Sequence, residues 1–471
     1  MAVFSFAFFG FFAAVFALRW TLGQRYKTAA LFAASIGFYA LYGWGYTLLL
    51  AVCLLLCWAA GLWLGRGGGR PRLALCVLFS LAPLIFFKYL DPALGAWGLP
   101  GLSLVQPVGI SYYTFQMVSY LVDIYRKKAA PERSFLRCAV SLSLFLQITS
   151  GPLTRPRILL EQLESEQQFD PARATGAAQL VLLGLFKKVV VADTLVIFTQ
   201  TAYTQPEGLY SLSLIISAIF YSAEIYADFS GYTDLVRGMG QLLGLELAEN
   251  FSTPYFSRSV REFWRRWHIS LSGWLAEYVY IPLGGSRVGR VRHCLNLLIT
   301  FLVSGLWHGA SLPMLVWGGL HGIYQVAGLL TRPLRRRITG ALRLREDGVL
   351  LRLWQTGWTF ALVTFAWIFF GAPNLSSAWQ IVTHLFTDLT PSITYCKEAL
   401  VLLGLSASNC LRIGGLLLAL FGIDLACYRS GWSGWLANRR PWVQAVICWL
   451  LVFSLVLFGN IGGGNSMYFQ F

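Results

Sequence analysis

Charged side chains are scarce in this chain of 471 residues, in which only 12% of the positions carry Asp, Glu, Lys or Arg. Histidine is also scarce, with five residues, whereas 56% of the residues are hydrophobic and 15% are aromatic. The mean hydropathy is +0.60. This composition predicts an all-α, polytopic membrane protein. A span needs roughly 20 apolar residues, and the apolar segments predict about ten to twelve spans together with buried half-helices.

The sequence also lacks internal repeats, low-complexity tracts and any linker between soluble domains. It therefore predicts one integral domain over residues 1–471, with N-terminal helices over 1–130, a middle region over 131–330 that carries the polar motifs, and C-terminal helices over 331–471. No triplet of His, Asp and Glu has metal-ligand spacing, so a metal site is not expected. Cys396 and Cys410 lie in a predicted outward loop, where a disulfide and two free thiols are both left open.

The net charge is +16, from 37 basic and 21 acidic residues. The cations cluster between hydrophobic segments, as in Arg66, Arg70 and Arg72, and again in residues 332–337. This distribution is the positive-inside pattern of cytoplasmic loops and argues against nucleic-acid binding. We therefore expect a multi-pass protein of the bacterial inner membrane, with the lipid bilayer around it and both termini on the outer side.

Polar residues interrupt the apolar pattern in the middle of the chain. Residues 221–234 include Glu224, Asp228 and Asp234, and each charge facing lipid would cost about 2.5–3.5 kcal/mol. Pro and paired Gly at 282–285 interrupt helical structure. Non-helical backbone at membrane depth is tolerated only around a cavity. The sequence thus predicts a re-entrant, cavity-lining region.

Several ordered motifs in and around this region carry a family resemblance. They are Val108–Gln116, Gly151-Pro152, Asp228–Tyr232, Glu249–Phe251, Arg261–His268, Tyr280–Gly285, Leu306–Gly309 and the final Tyr468–Phe471. Together they resemble the membrane-bound O-acyltransferase superfamily, and more narrowly its bacterial branch for O-acetylation of alginate and peptidoglycan and for D-alanyl transfer to teichoic acid. Where that branch usually has Arg-Asp before its Tyr-Ile-Pro-Leu motif, this chain has Ala276-Glu277, which keeps the carboxylate and loses the cation.

The resemblance implies a ring of tilted transmembrane helices with buried re-entrant half-helices around a central tunnel. It implies transfer of an acetyl or similar short acyl group from a cytoplasmic thioester donor, acetyl-CoA or an acyl carrier protein, with no tightly bound cofactor. The final acceptor would be an extracytoplasmic polysaccharide, reached through a periplasmic partner of the SGNH-hydrolase type. A lipid- or protein-modifying acyltransferase remains an alternative, as does a transporter or flippase with a polar midplane site.

Acyl transfer from a thioester to a hydroxyl requires a base, and an imidazole with an ordinary pKa of about 6.5 suits this step. His308, in the Trp-His-Gly motif, is the predicted base. By resemblance His268 is the second signature histidine and orients substrate or stabilises an oxyanion; the alternative is an interfacial amphipathic segment. The predicted substrate-binding residues are Trp307, Asp228, Ser230, Asn250, Arg265, Trp267 and Glu277.

Two further assignments concern structural roles. Glu224 and Asp228 are spaced to share one helical face, so one of them is predicted to be protonated or paired with Arg237 or with the cations of residues 258–266. A packing and ion-pair role for this cluster is favoured over direct chemistry. His321 is predicted to be structural, because a helix containing both residues would turn it about 220° away from His308.

Overall fold

The computed structural model describes residues 3–342, 345 and 348–459. Within these residues every regular element is a helix, and the only β-type contact is an isolated antiparallel bridge between Phe251 and Trp267. Six helices are long and apolar enough to cross a membrane. The all-α, polytopic class predicted from the sequence is confirmed. The motif Tyr468–Phe471 lies outside the described residues.

The α-helices of the first half are α1 (Phe6–Thr21), α2 (Gln24–Ala40), α3 (Trp44–Gly65), α4 (Arg70–Ala96), α5 (Ile110–Tyr125), α6 (Phe135–Ser143), α7 (Pro156–Glu164), α8 (Pro171–Leu185), α9 (Asp193–Thr204) and α10 (Ser211–Leu242). Those of the second half are α11 (Val260–Arg266), α12 (Ile269–Leu275), α13 (Arg290–His308), α14 (Leu312–Leu330), α15 (Arg332–Ala341), α16 (Val349–Gly371), α17 (Leu375–His384), α18 (Ile393–Leu402), α19 (Ala407–Cys427), α20 (Gly431–Ala437) and α21 (Pro441–Phe458). Two π-helices, Phe186–Ala192 and Ala276–Tyr280, and a 3₁₀ turn, Pro254–Phe256, lie between them.

The six long apolar helices are α3, α4, α10, α16, α19 and α21, and α1 is a shorter apolar helix. This number is below the ten to twelve spans expected from the sequence. One reason is that some apolar segments are only partly helical: α6 has 9 residues, after which the chain is irregular up to α7. Gly151 and Pro152 lie in this irregular segment, and Pro cannot continue a helical hydrogen-bond ladder.

The described chain divides into two compact units. The first unit comprises residues 3–185 and 232–249, and the second comprises 186–231 together with the described residues of 250–459. In the first unit, the side chain of Arg19 is buried and its Nε donates to the carbonyl of Leu243 at 3.0 Å. This bond satisfies a carbonyl just beyond the end of α10, where intrahelical partners are missing. The three-part division of the sequence stays a prediction.

In the second unit, the backbones of α13 and α14 lie in direct contact. A Cβ atom added at Gly305 would lie 2.3 Å from the carbonyl oxygen of Met314, and one added at Gly318 would lie 2.4 Å from that of Phe301. Both distances are too short for any side chain, so only glycine allows this approach. The contact fixes the last turn of α13, which ends at His308.

The start of α10 is held by residues that lie much later in the chain. The backbone N–H of Ser211 donates to Asp388 Oδ1 at 2.9 Å, and the Ser211 hydroxyl donates to the carbonyl of His384 at 2.6 Å. The N–H of Leu212 donates to the hydroxyl of Tyr395 at 3.2 Å. Hydrogen bonding by Ser211 lowers the pKa of the Asp388 carboxyl below its ordinary value. These groups satisfy N–H donors that a helix start leaves open.

The sequence predicts an outward loop over residues 372–410, and in the structure this segment contains two helices, α17 and α18. All nine cysteines lie in the described chain and none of them is bridged. Cys396 is exposed and Cys410 is partly buried. The sequence left open a disulfide and two free thiols at these positions, and in the structure both cysteines are free thiols.

Replacement of Gly305 or Gly318 by Ala is expected to push α13 away from α14. Overpacking of this kind typically costs about 1–3 kcal/mol, so both variants should unfold at a lower temperature than the unmodified protein in detergent. Gly328→Ala is the matched control, because it lies on α14 and a Cβ atom there meets nothing within 4 Å. Equal unfolding temperatures for all three variants would show that the contact is not needed.

Candidate active site

Two hydrogen bonds that Asn250 accepts position the turn that carries His268. The backbone N–H of Ile269 donates to the carbonyl of Asn250 at 3.0 Å. The N–H of Ser270 donates to Asn250 Oδ1 at 3.3 Å. Asn250 is fully buried, so it fixes the start of α12 from inside the second unit. His268 is the residue immediately before this helix.

His268 has a left-handed backbone conformation, with φ 43° and ψ 52°. This conformation costs a residue other than glycine about 1–2 kcal/mol. The side chain is fully buried, and its ring centroid lies 4.7 Å from that of Phe229. Among the described residues, neither ring nitrogen has a hydrogen-bond partner. A neutral imidazole has one N–H donor and one acceptor nitrogen, and here both are open to a bound ligand.

Complete burial also bears on the two interpretations of His268. An interfacial amphipathic segment would leave this ring at the level of the lipid headgroups, with part of its surface exposed. The buried ring is evidence against the interfacial alternative, and the role of His268 stays a prediction. A buried polar group without a partner costs about 1–3 kcal/mol, which makes His268 an energetically expensive residue in the absence of a ligand.

His308 lies at the end of α13 and is 3% exposed. Aromatic rings surround it: the centroid distances are 4.8 Å to Trp307, 5.1 Å to Trp317 and 5.2 Å to Phe370. The centroid of the His268 ring is 6.3 Å away. The structure thus brings together the two histidines that come from separate sequence motifs.

Three predicted substrate-binding residues lie at different depths around this pair. Trp307 is buried, and its ring centroid is 6.0 Å from that of His268. Trp267 is also buried and packs in the aromatic core, 4.9 Å from Trp367. The side chain of Arg265 is exposed. Only Trp307 of these three borders both histidines.

Asp228 forms a buried ion pair that the sequence analysis missed. Its Oδ1 lies 2.7 Å from Nζ of Lys188, which also lies 2.7 Å from Asp193 Oδ1. Arg237 instead pairs with Asp234, at 3.6 Å. The predicted pairing of Asp228 with Arg237 or with the cations of residues 258–266 was therefore wrong. The sequence signal for this ion pair was a Lys within an apolar run, and the same signal is typical of a residue at the end of a membrane span.

The remaining predicted residues lie near this ion pair or farther along the chain. Glu224, buried on α10, accepts a hydrogen bond from the hydroxyl of Thr199. Ser230 is fully buried on the same helix. Glu277 is partly buried in the second π-helix, Ala276–Tyr280. Of the α10 carboxylates, Asp228 thus pairs with a buried lysine and Glu224 has a hydroxyl partner.

His321 accepts a hydrogen bond at Nδ1 from Nε1 of Trp264, at 3.1 Å. Its ring also packs 5.1 Å from that of Trp317. These contacts give it the structural role that was predicted. The reasoning behind that prediction was wrong, because His308 and His321 lie on different helices, α13 and α14.

The arrangement can perform proton transfer beside a polarised carbonyl. A neutral imidazole accepts a proton at one nitrogen and donates a hydrogen bond from the other. The two rings lie 6.3 Å apart, centroid to centroid, and aromatic side chains pack against both of them. In the described part of the chain, no three His, Cys, Asp or Glu side chains form a group that could hold a metal ion.

The profile of the membrane-bound O-acyltransferase family matches residues 133–372. The chain is 33% identical to the probable alginate O-acetylase of Pseudomonas putida over 96% of each chain. It is 32% identical to the peptidoglycan O-acetyltransferase of Helicobacter pylori, over 66% of this chain and 64% of that one. It is also 29% identical to the teichoic acid D-alanyltransferase of Streptococcus thermophilus, over 56% of this chain and 66% of that one.

The matched region contains His268, His308 and the helices that hold them, and the sequence relationship extends well beyond these two motifs. The family resemblance inferred from the motifs is confirmed. This chain belongs to the membrane-bound O-acyltransferase family and is an acyltransferase.

Proposed function

We propose that this protein moves an acetyl or similar short acyl group from a cytoplasmic thioester donor towards an extracytoplasmic polysaccharide. The observation that carries this proposal is the buried pair His268 and His308, whose ring centroids are 6.3 Å apart. The names of the relatives support the acetyl group and the polysaccharide, because two of the relatives described above are O-acetyltransferases of cell-surface glycans.

In the proposed reaction, His308 accepts the proton of the acceptor hydroxyl while the hydroxyl oxygen attacks the thioester carbonyl. The carbon–sulfur bond then breaks, and His308 returns the proton to the departing thiolate. The N–H of His268 donates to the carbonyl oxygen as that oxygen gains negative charge. A preorganised donor of this kind lowers the barrier by several kcal/mol.

The other predicted residues support this centre in distinct ways. Asn250 positions His268 through the start of α12, and Trp307 restricts the orientation of both imidazoles. Asp228 and Ser230 lie on α10 next to Phe229, which contacts His268. Trp267 forms part of the aromatic packing behind the site. We propose Arg265 and Glu277 as contacts for the donor or acceptor outside the buried centre.

We propose acetyl-CoA or an acyl carrier protein as the donor, with no tightly bound cofactor, and residues 131–330 as the catalytic core. We propose from the positive charge of the loops that α15 lies on the cytoplasmic side and both termini on the outer side. The α17–α18 region then faces outward. Its exposed apolar side chains, among them Phe386, Ile393 and Val401, fit a docking surface for a periplasmic SGNH-hydrolase-like partner that completes the transfer.

His308→Ala is expected to lower the rate of acyl transfer by about 10² to 10⁴, the usual range for loss of a general base. The purified protein should still fold, because the packing around the ring is aromatic and apolar. His293→Ala on the same helix is the matched control and should keep its activity. The measurement is transfer of labelled acetyl groups by each variant, and unchanged transfer by His308→Ala would contradict its role as base.

His268→Gly is expected to fold at least as well as the unmodified protein, because glycine adopts the left-handed conformation without strain. Its turnover should fall by about 10²-fold or more, the usual effect of removing one oxyanion donor. Thermal unfolding and acyl transfer are measured on the same preparation. Full activity of this variant would mean that the imidazole contributes only packing.

The orientation can be tested at Cys396, which is exposed on α18. A membrane-impermeant maleimide should label it in intact cells, whereas a cysteine introduced at Arg335 should react only after permeabilisation. The variant Cys396→Ser measures the labelling of the other cysteines. Tags at residues 1 and 471, which lie outside the described residues, should report the outer side. Labelling of position 335 in intact cells would show that the protein has the opposite orientation.

The relay is tested by reconstitution in liposomes with a labelled acetyl donor on the cytoplasmic side. The protein alone should consume donor slowly, and addition of the periplasmic partner should make acetylation of exported polysaccharide fast. If the protein alone acetylates the polysaccharide as fast as the pair does, the relay is wrong. Transport of donor without cleavage of the thioester would instead favour a transporter.

A further inference from the structure

A basic pocket opens in the first unit, where α3 and α5 end. Its volume is about 710 Å³. Lys127 and Lys128 supply the charge, and Leu64 and Ile124 supply apolar surface. Gly65, Gly67, Gly68, Tyr125 and residues 129–131 complete the lining. The pocket lies at the end of an apolar span, Trp44–Gly65, which places it at the level where lipid headgroups begin.

Lys127 occupies a position that normally belongs to glycine. The N–H of Lys128 donates to the carbonyl of Asp123 at 2.8 Å, and the N–H of Lys127 donates to that of Ile124 at 2.9 Å. These two bonds form a Schellman motif at the end of α5, with Lys127 in the left-handed conformation at φ 58°. A side chain at this position costs about 1–2 kcal/mol relative to glycine. The backbone therefore gains nothing from lysine here.

The walls of the pocket are fixed by contacts that do not involve the two lysines. The guanidinium of Arg72 lies 4.5 Å above the Trp63 ring and donates to the carbonyl of Gly67. On the opposite side, Nε1 of Trp58 donates to the carbonyl of Glu132 at 3.0 Å. The site is thus formed before any ligand arrives.

Packing between the two walls is equally close. A Cβ atom at Gly65 would lie 2.4 Å from Cγ of Pro131, so the end of α3 touches the loop that follows α5. Asp123, an acidic residue near the pocket, already pairs with Arg157 at 3.0 Å. Lys127 and Lys128 are both exposed.

We propose that this pocket binds the phosphate group of an amphipathic ligand, with the cytoplasmic-leaflet phospholipids phosphatidylglycerol and cardiolipin as the expected source. Lys127 and Lys128 hold the phosphate, and Leu64 and Ile124 contact the apolar part next to it. Basic pockets beside membrane helices recognise anionic lipid headgroups in this way. The same phosphate chemistry is also present in coenzyme A, so the experiment must separate the two sources. Placement on the cytoplasmic side follows from the positive charge of these loops.

The test is native mass spectrometry of the full-length protein in detergent, titrated separately with phosphatidylglycerol, cardiolipin, phosphatidylcholine and coenzyme A. The unmodified protein and Lys127→Arg should retain an anionic lipid in preference to phosphatidylcholine. Lys127→Gly should bind that lipid about fivefold more weakly, which corresponds to the roughly 1 kcal/mol of one basic residue at a lipid headgroup. Arg133→Gln, an exposed cation of the same loop that is outside the lining, is the charge-matched control.

Stability separates a binding role for Lys127 from a structural one. Lys127→Gly should unfold at the same or a higher temperature than the unmodified protein, because glycine removes the left-handed strain. Weaker lipid binding without loss of stability supports the proposal. Binding of coenzyme A that depends on Lys127, without any preference among lipids, would support the phosphate site and assign it to the nucleotide. Equal binding of every ligand by Lys127→Gly and the unmodified protein would overturn the proposal.

Discussion

Buried polar side chains are the main constraint on this protein, because a charge facing hydrocarbon costs several kcal/mol and must be compensated nearby. Two such interactions join α10 to other helices of the second unit: Lys188 pairs with Asp228 on α10, and Tyr226 on α10 donates to Asp424 on α19 at 2.9 Å. These interactions fix the rotation of α10 about its own axis. Phe229, one residue beyond Asp228, is thereby turned towards His268.

The two histidines are held by different means. His308 depends on the close approach of α13 and α14, which only glycine at 305 and 318 allows. His268 depends on a strained turn that Asn250 fixes on its C-terminal side. Since each ring is fixed by backbone contacts, their separation does not rely on a hydrogen bond between the imidazoles.

The helical class and the two histidines could be predicted from the sequence, because hydrophobic composition and short motifs are local signals. The ion-pair partner of Asp228 could not be predicted from the sequence. Lys188 lies in a π-helix, whose extra residue per turn breaks the 3.6-residue periodicity on which facing residues are assigned. The rotation assumed for His321 failed because residues 309–311 separate α13 from α14, so His308 and His321 do not share a helix. Contacts between distant segments are set by packing, which periodicity does not encode.

The capping of α10 by Asp388 has a consequence for synthesis. Ser211 and Asp388 are 177 residues apart, and chains grow at about 5–20 residues per second, so roughly 9–35 s separate the appearance of the two groups on the ribosome. During that interval the first turn of α10 has neither the carboxylate nor the carbonyl of His384 as partners. The helix that carries Asp228 is therefore completed only when the chain has been made as far as α17 and the residues that follow it. A nascent chain stalled before that point would keep a frayed helix in the middle of its future catalytic core.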